Sequence, residues 1–166
     1  DLAADVLADG KSARLVRRLV MDERIAQSVS AGQQSLTLAG TFLVVATPKP
    51  GQSVERLVAE IDEELARLQR EPPTPAELER AVNKTESAAI FTLEPVGGFG
   101  GRAAALNRYW FQTGDPGYFP KDVARYRKVR PEDVRDAAAR WLRKEARVVL
   151  TVVPKGAARA PAKEAK

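Results

Sequence analysis

The sequence predicts an α+β fold, with helices packed on a mainly antiparallel sheet. Three features predict it. Two strand-like stretches meet around Ala39-Gly40, helix-period segments fill most of the span from Ser53 to Leu142, and one apolar run, RVVLTVV, follows at 147–153. No internal repeat is visible.

The elements follow in order. Residues 1–8 and 13–22 read as two short helices around Asp9-Gly10-Lys11-Ser12. In the second, Leu15 and Leu19, with Val16 and Val20, form the apolar stripe, and Arg14, Arg17 and Arg18 are expected to point outward. From Ala26 the residues become small with strand propensity, and Leu36 and Leu38 alternate with polar neighbours. The chain then turns at Ala39-Gly40 into 42–46, a strand expected to be buried on both faces, which Pro48 and Pro50 end. Ser53 can cap a helix whose Val54, Leu57, Val58, Ile61, Leu65 and Leu68 share one face. Pro72-Pro73 breaks it. Thr74, Pro75 and Glu77 then supply a cap, a first-turn proline and a reciprocal carboxylate for a helix to about Leu93. Further helices are expected over 102–113, 118–128 and from Pro131, the last with Val134, Ala138, Trp141 and Leu142 facing inward. The 147–153 run reads as a buried strand.

Composition excludes much chemistry. The 166 residues are 44% apolar and 30% charged, with no Cys and no His. Disulfides, thiolate nucleophiles, zinc–thiolate sites and histidine general bases are therefore ruled out. Serine and cysteine triads fail with them. No apolar run approaches the roughly 18 residues that a membrane helix needs. The net charge of +5 is concentrated at the end. Lys155, Arg159, Lys163 and Lys166 against Glu164 leave 23 basic and 21 acidic residues in 1–154, so no nucleic-acid partner is expected. Residues 155–166 read as a basic, Ala/Lys-rich tail or linker after a single domain over 1–154. The chain opens on Asp1 and its only methionine is Met21, so it is expected to be cut from something longer.

Four stretches invite a functional reading. Gly97, Gly98, Gly100 and Gly101 flank Phe99 in a glycine cluster that follows a helix rather than a strand and matches neither phosphate-loop pattern. A flexible helix–helix connection is the expectation. Glu60, Asp62, Glu63 and Glu64 are expected to spread over a solvated helix face. Leu106, Trp110 and Phe111, beside Arg108 and Tyr109, are read as a buried helix face rather than a base-stacking platform. Residues 27–34 form a polar strand of small residues. At a sheet edge it could pair with an extended peptide through its backbone, and equally it could be covered.

In register, these pieces resemble a known family. DGKSARLVRRLVMDERIAQSVSA at 9–31 is similar to the Gly-Gly-x-Ser-Ser-Arg-Leu … Leu-Arg-Glu-x-x-Gly-Leu-Ala-Tyr-x-Val-x-Ala segment of the pitrilysin/insulinase zinc metallopeptidases. The segment belongs to their C-terminal, non-catalytic domain, of the mitochondrial-processing-peptidase-like kind. Residues 42–46 with Pro50-Gly51, then TPAELERA at 74–81, match the following strand and helix start. GGFGG with Leu106-Asn107 and Gly114-Asp115-Pro116, then VRPEDV at 129–134 and the run into Pro154, resemble the rest, in a bacterial branch.

The resemblance implies a half-shell that closes a chamber around unfolded peptide. Zinc would be held by an H-x-x-E-H motif in a catalytic partner domain, in the same polypeptide or a separate subunit, whose glutamate activates the metal-bound water. This chain has no histidine and would carry no cofactor. It would also lack the domain's first strands, upstream of Asp1. The family's substrate-holding Arg and Tyr positions are here Val20 and Gln27, so a charge-assisted donor is lost and a neutral amide remains. Substrate contact is expected along the strand at Gln27, Ser28, Ser30 and Gln33. The alternative is a structural or interaction subunit that kept the fold and lost peptidase function, as core subunits of respiratory complexes have. Alanine and arginine richness points to a GC-rich bacterial source, with the periplasm or cytoplasm as its compartment.

Overall fold

The computed structural model describes residues 1–153, so the expected basic tail lies outside the described residues. Helix α1 (Leu2–Ala8) buries Leu2, Val6 and Leu7. A second helical stretch starts at Arg14 and widens into a π-helix over Val16–Asp22. Strands β1 (Ala26–Ser35) and β2 (Gly40–Pro48) then form an antiparallel hairpin. Val29 lies opposite Ala46, Ala31 opposite Val44 and Gln33 opposite Phe42. These pairs share the face that the helices cover.

Helix α2 (Val54–Arg70) begins where Ser53 accepts the Arg56 amide, and it buries Leu57 and Leu68. Helix α3 (Pro75–Thr92) opens with both halves of the predicted capping box. Helices α4 (Arg102–Thr113), α5 (Phe119–Arg127) and α6 (Pro131–Trp141) complete the block, followed by a 3₁₀ turn at Lys144–Ala146. Leu7, Leu15, Leu19, Ile25 and Leu68 are the large, fully buried apolar side chains at its centre. Each removes about 1.5–3 kcal/mol worth of apolar surface from water.

Several expectations are corrected. Strand β2 is not buried on both faces, because helices cover only one side; Leu43 and Val45 are exposed on the other. Leu36 and Leu38 sit in the hairpin turn, closed by the Leu36 amide on the Ala39 carbonyl at 2.8 Å, so their alternation is not a strand signal. Trp141 is 67% exposed rather than inward, with Arg140 stacked 4.7 Å from its ring. The 147–153 run pairs with no strand among the described residues, and its apolar side chains lie in solvent, Leu150 at 84%. Apolar composition marked it as a strand, but a strand needs a neighbour to supply its hydrogen bonds.

Candidate functional site

Three backbone irregularities fall within a dozen residues, between the π-helix and the start of β1. The Glu23 amide reaches back five residues to the Arg18 carbonyl at 2.9 Å, the π pattern. Arg24 takes φ +55°, the left-handed region where glycine is at ease and arginine is not. The Ile25 amide then closes the helix on the Leu19 carbonyl at 3.0 Å. That bond spans one residue more than an ordinary glycine-terminated helix end would, as the extra residue in the π turn requires. Immediately afterwards, Ala26 faces Pro48 and Ser28 faces Thr47, which leaves Gln27 in a bulge without a partner of its own.

The bulge decides which side chains reach solvent. Gln27 and Ser28 are both exposed in succession, and Ser30 shares their face. Gln33 falls on the opposite, half-buried face, with its Nε2 donating to Ser35 Oγ at 3.0 Å. The structure thus groups three of the four sequence-selected strand residues and separates the fourth. Val20 sits half-buried on the π-helix and packs against the core. Among the described residues β1 pairs with β2 alone, so its other edge carries backbone donors and acceptors with no strand against them.

Behind this corner lies a charge network that the sequence reading placed in water. Arg18 meets Glu23 at 3.0 Å, contacts Glu60 and Glu63, and lies 3.7 Å from Glu64. Its guanidinium is held charged, above all by Glu63, against the opposing cost of burial. Glu64 is only 2% exposed, with Arg67 a further 3.7 Å away. Asp62 is paired with Arg147 and with Lys144 at 3.1 Å. Burial works against its carboxylate, yet those two cations outweigh it and hold the pKa below the ordinary value. The acidic cluster is therefore an ion-pair surface between α2, the π-helix and the segment from Lys144 to Arg147. Arg18 turns in to meet it, and Arg14 turns in to pair with Glu77, instead of pointing outward.

The glycine cluster forms a hydrogen-bonded loop between α3 and α4. The Arg102 amide donates to Pro95 O at 2.7 Å and the Ala103 amide to Val96 O at 3.1 Å. Gly98 and Gly100 adopt φ +82° and +85°, and a Cβ on Gly101 would lie 2.5 Å from the Gly97 carbonyl oxygen. Helix α4 buries Ala105 and Tyr109, whose hydroxyl donates to Asp122 at 2.9 Å. Leu106, Trp110 and Phe111 are exposed, so the expected buried face is rotated. Tyr109 turns inward because Asp122 gives its hydroxyl a partner.

No three His, Cys, Asp or Glu side chains among the described residues converge to hold a metal ion. With no His or Cys in the sequence, zinc does not fit this chain.

Comparison with known proteins decides the family. The family model described as the peptidase M16 inactive domain matches residues 1–85, just over half of the chain. The chain belongs to that family. Solved structures agree with the M16 assignment. A candidate zinc protease from Bordetella pertussis Tohama I is 28% identical with a TM-score of 0.73, over 87% of this chain and 77% of that one. The inactive peptidase domain of a candidate zinc protease from Bordetella parapertussis is 28% identical with a TM-score of 0.75, over 95% of this chain and 83% of that one. A protease from Helicobacter pylori shares the fold, at 23% identity and a TM-score of 0.72. It matches over 86% of this chain, which spans 34% of that longer one. No curated protein matches. The M16 match covers α1, the π-helix, the hairpin, α2 and the first part of α3, so the irregular corner lies wholly inside it.

Sequence reasoning missed Arg24 and the buried pairings of Arg14 and Glu64. Arg24 had a signal, since it stands where the resembling motif carries glycine. Glu64 had none, because its burial depends on where Arg18 and Arg67 arrive in space.

Proposed function

We propose that this domain closes the substrate chamber of a pitrilysin-type zinc metallopeptidase and positions unfolded peptide for a catalytic H-x-x-E-H domain, in the same polypeptide or a partner chain. The domain occupies residues 1–154 in this reading, and 155–166 serve as a linker or tail. The observation that carries it is the inactive-domain match over the segment that builds the polar β1 edge, which is unpaired among the described residues. Gln27, Ser28 and Ser30 would face the peptide, with zinc held by the partner.

A second reading has a specific observation in its favour. Val20 is half-buried and apolar, and Gln27 offers only a neutral amide, so a domain with no remaining peptidase partnership would fit the same fold. Cleavage of a long quenched-fluorescent peptide separates the two. The test compares this chain, its longer native polypeptide and that polypeptide with any neighbour-encoded H-x-x-E-H protein. Chelator-sensitive cleavage that needs the partner domain is expected. Cleavage by this chain alone, or none in any combination, would overturn the chamber reading.

A further inference from the structure

The hairpin has an uneven charge distribution. Residues 25–48 contain no Asp, Glu, Lys or Arg, so the whole hairpin is uncharged from Ile25 to Pro48. At its base the charge returns abruptly. Arg24 precedes it and Lys49 follows it, and the Lys49 amide donates to the Ile25 carbonyl at 2.8 Å, which seats the two cationic residues side by side along the backbone.

Arg24 is the notable one. Its guanidinium is exposed and makes a single long contact, from Nε to the Met21 carbonyl at 3.4 Å. The neighbouring carboxylates are taken by other arginines. Asp22 lies 3.7 Å from Arg17, and Glu23 is shared by Arg18 at 3.0 Å and Arg56 at 3.3 Å. Its backbone is held at φ +55°, where glycine would be less strained. An exposed cation kept in a strained conformation, with its neighbouring carboxylates engaged elsewhere, stands where a strand edge that is unpaired among the described residues begins.

We propose that Arg24 captures a carboxylate of an extended peptide that adds to the free edge of β1, with Lys49 adding to the local positive field. This rests on the reading of β1 as a peptide-facing strand. Backbone pairing along β1 is indifferent to side chains, and the uncharged, small Ser28, Ser30 and Gly32 reject little. Discrimination would then come from the base of the hairpin, where a charge-assisted hydrogen bond rewards an acidic side chain or a free C-terminus. The shared chemistry is a carboxylate, and the two sources differ only in where the peptide carries it.

The test is fluorescence polarisation of labelled decapeptides with the full chain. With both ends blocked, three sets carry Asp, Asn or Lys at the same place near either end; a further peptide carries Asn and a free C-terminus. At low salt, at least one carboxylate-bearing peptide is expected to bind about fivefold tighter than its neutral counterpart. That preference should vanish in Arg24→Gln, survive in Arg24→Lys, and turn into a preference for Lys-bearing peptide in Arg24→Glu. A merely structural Arg24 would not invert the selectivity. If neither the Asp peptides nor the free-C-terminus peptide binds tighter than its neutral counterpart, or Arg24→Gln keeps the preference, the carboxylate capture is wrong while β1 remains a peptide strand. If no peptide binds the folded chain, the strand reading fails and takes this inference with it.

Discussion

Arg14 and Glu77, 63 residues apart, form a two-pronged ion pair: Nε donates to Oε1 at 2.8 Å and Nη2 to Oε2 at 2.9 Å. Glu77 Oε2 also accepts the Thr74 amide at 2.7 Å, so one carboxylate caps α3 and ties it to the start of the π-helix. Only 7% of the Arg14 side chain is exposed, and Nη2 reaches the Pro72 carbonyl at 3.3 Å as well. The capping box was legible in TPAE; its second use was not.

That pairing makes stability depend on pH in a known direction. The Arg14 hydrogen bond, supported by Thr74, holds the Glu77 pKa down to about 2 from an ordinary 4.5. Above pH 4.5 the carboxylate is charged in both folded and unfolded chains, and its contribution is fully present. As pH falls from 4.5 toward 2 the unfolded chain takes up the proton first, so stability is progressively lost. With partial exposure discounted, about 2 kcal/mol is at stake. Urea unfolding from pH 5 to pH 2 should show Glu77→Gln less stable at pH 5 and converging on wild type near pH 2. Parallel curves would rule the pairing out as the source.

Glu64 and Arg18 should respond unequally to removal. Arg18 has Glu23, Glu60 and Glu63 to turn to, whereas Glu64 is buried and its Oε1 lacks a hydrogen-bond partner. Glu64→Met should leave stability unchanged or raise it, because an apolar side chain of similar size removes a desolvated charge. Arg18→Met should lower it by about 2–4 kcal/mol, since several carboxylates are left together. Chemical denaturation of both variants tests the asymmetry, and a costly Glu64→Met would reverse this account.

The left-handed backbone at Arg24 predicts opposite outcomes for two small changes. Arg24→Gly should stabilise the fold by up to about 1 kcal/mol, the relief of strain exceeding the entropy glycine adds to the unfolded chain. Arg24→Val should destabilise it by about 1–2 kcal/mol, because a branched Cβ fits that region worst. Thermal unfolding of the two variants should bracket wild type.

Tyr109→Phe removes the hydroxyl that meets Asp122 and keeps the ring 6.0 Å from that of Tyr118. Asp122 retains Arg125, so the expected cost is modest, about 1 kcal/mol. A drop in melting temperature without loss of helical signal would register it.

The contrast between α2 and 147–153 explains what the sequence could tell. Helix α2 was predicted from Ser53 to its end because cap and apolar stripe are written locally, at spacings of three and four. The 147–153 run carried an equally strong apolar signal, yet a strand depends on a neighbour that can lie anywhere in sequence. At the candidate site, periodicity located β1 but could not foresee the bulge that exposes Gln27 beside Ser28 and turns Gln33 away. Arg14 was misplaced for a similar reason: charge reads as surface until a partner such as Glu77 is folded against it.

The π winding over Val16–Asp22 also fixes the phase between helix and hairpin. Leu19 within it and Ile25 after it are both fully inside, and Gln27 and Ser28 are both outside. The same number of residues wound as an ordinary α-helix would rotate the start of the hairpin by about 100°. Because a strand has only two faces, the error could not be absorbed gradually; Val29 would swing to solvent and Ser28 and Ser30 into the core. Winding and length are therefore matched here: exposed Arg17 and Met21 are free to change in kind, but the extra residue and the wide turn belong together.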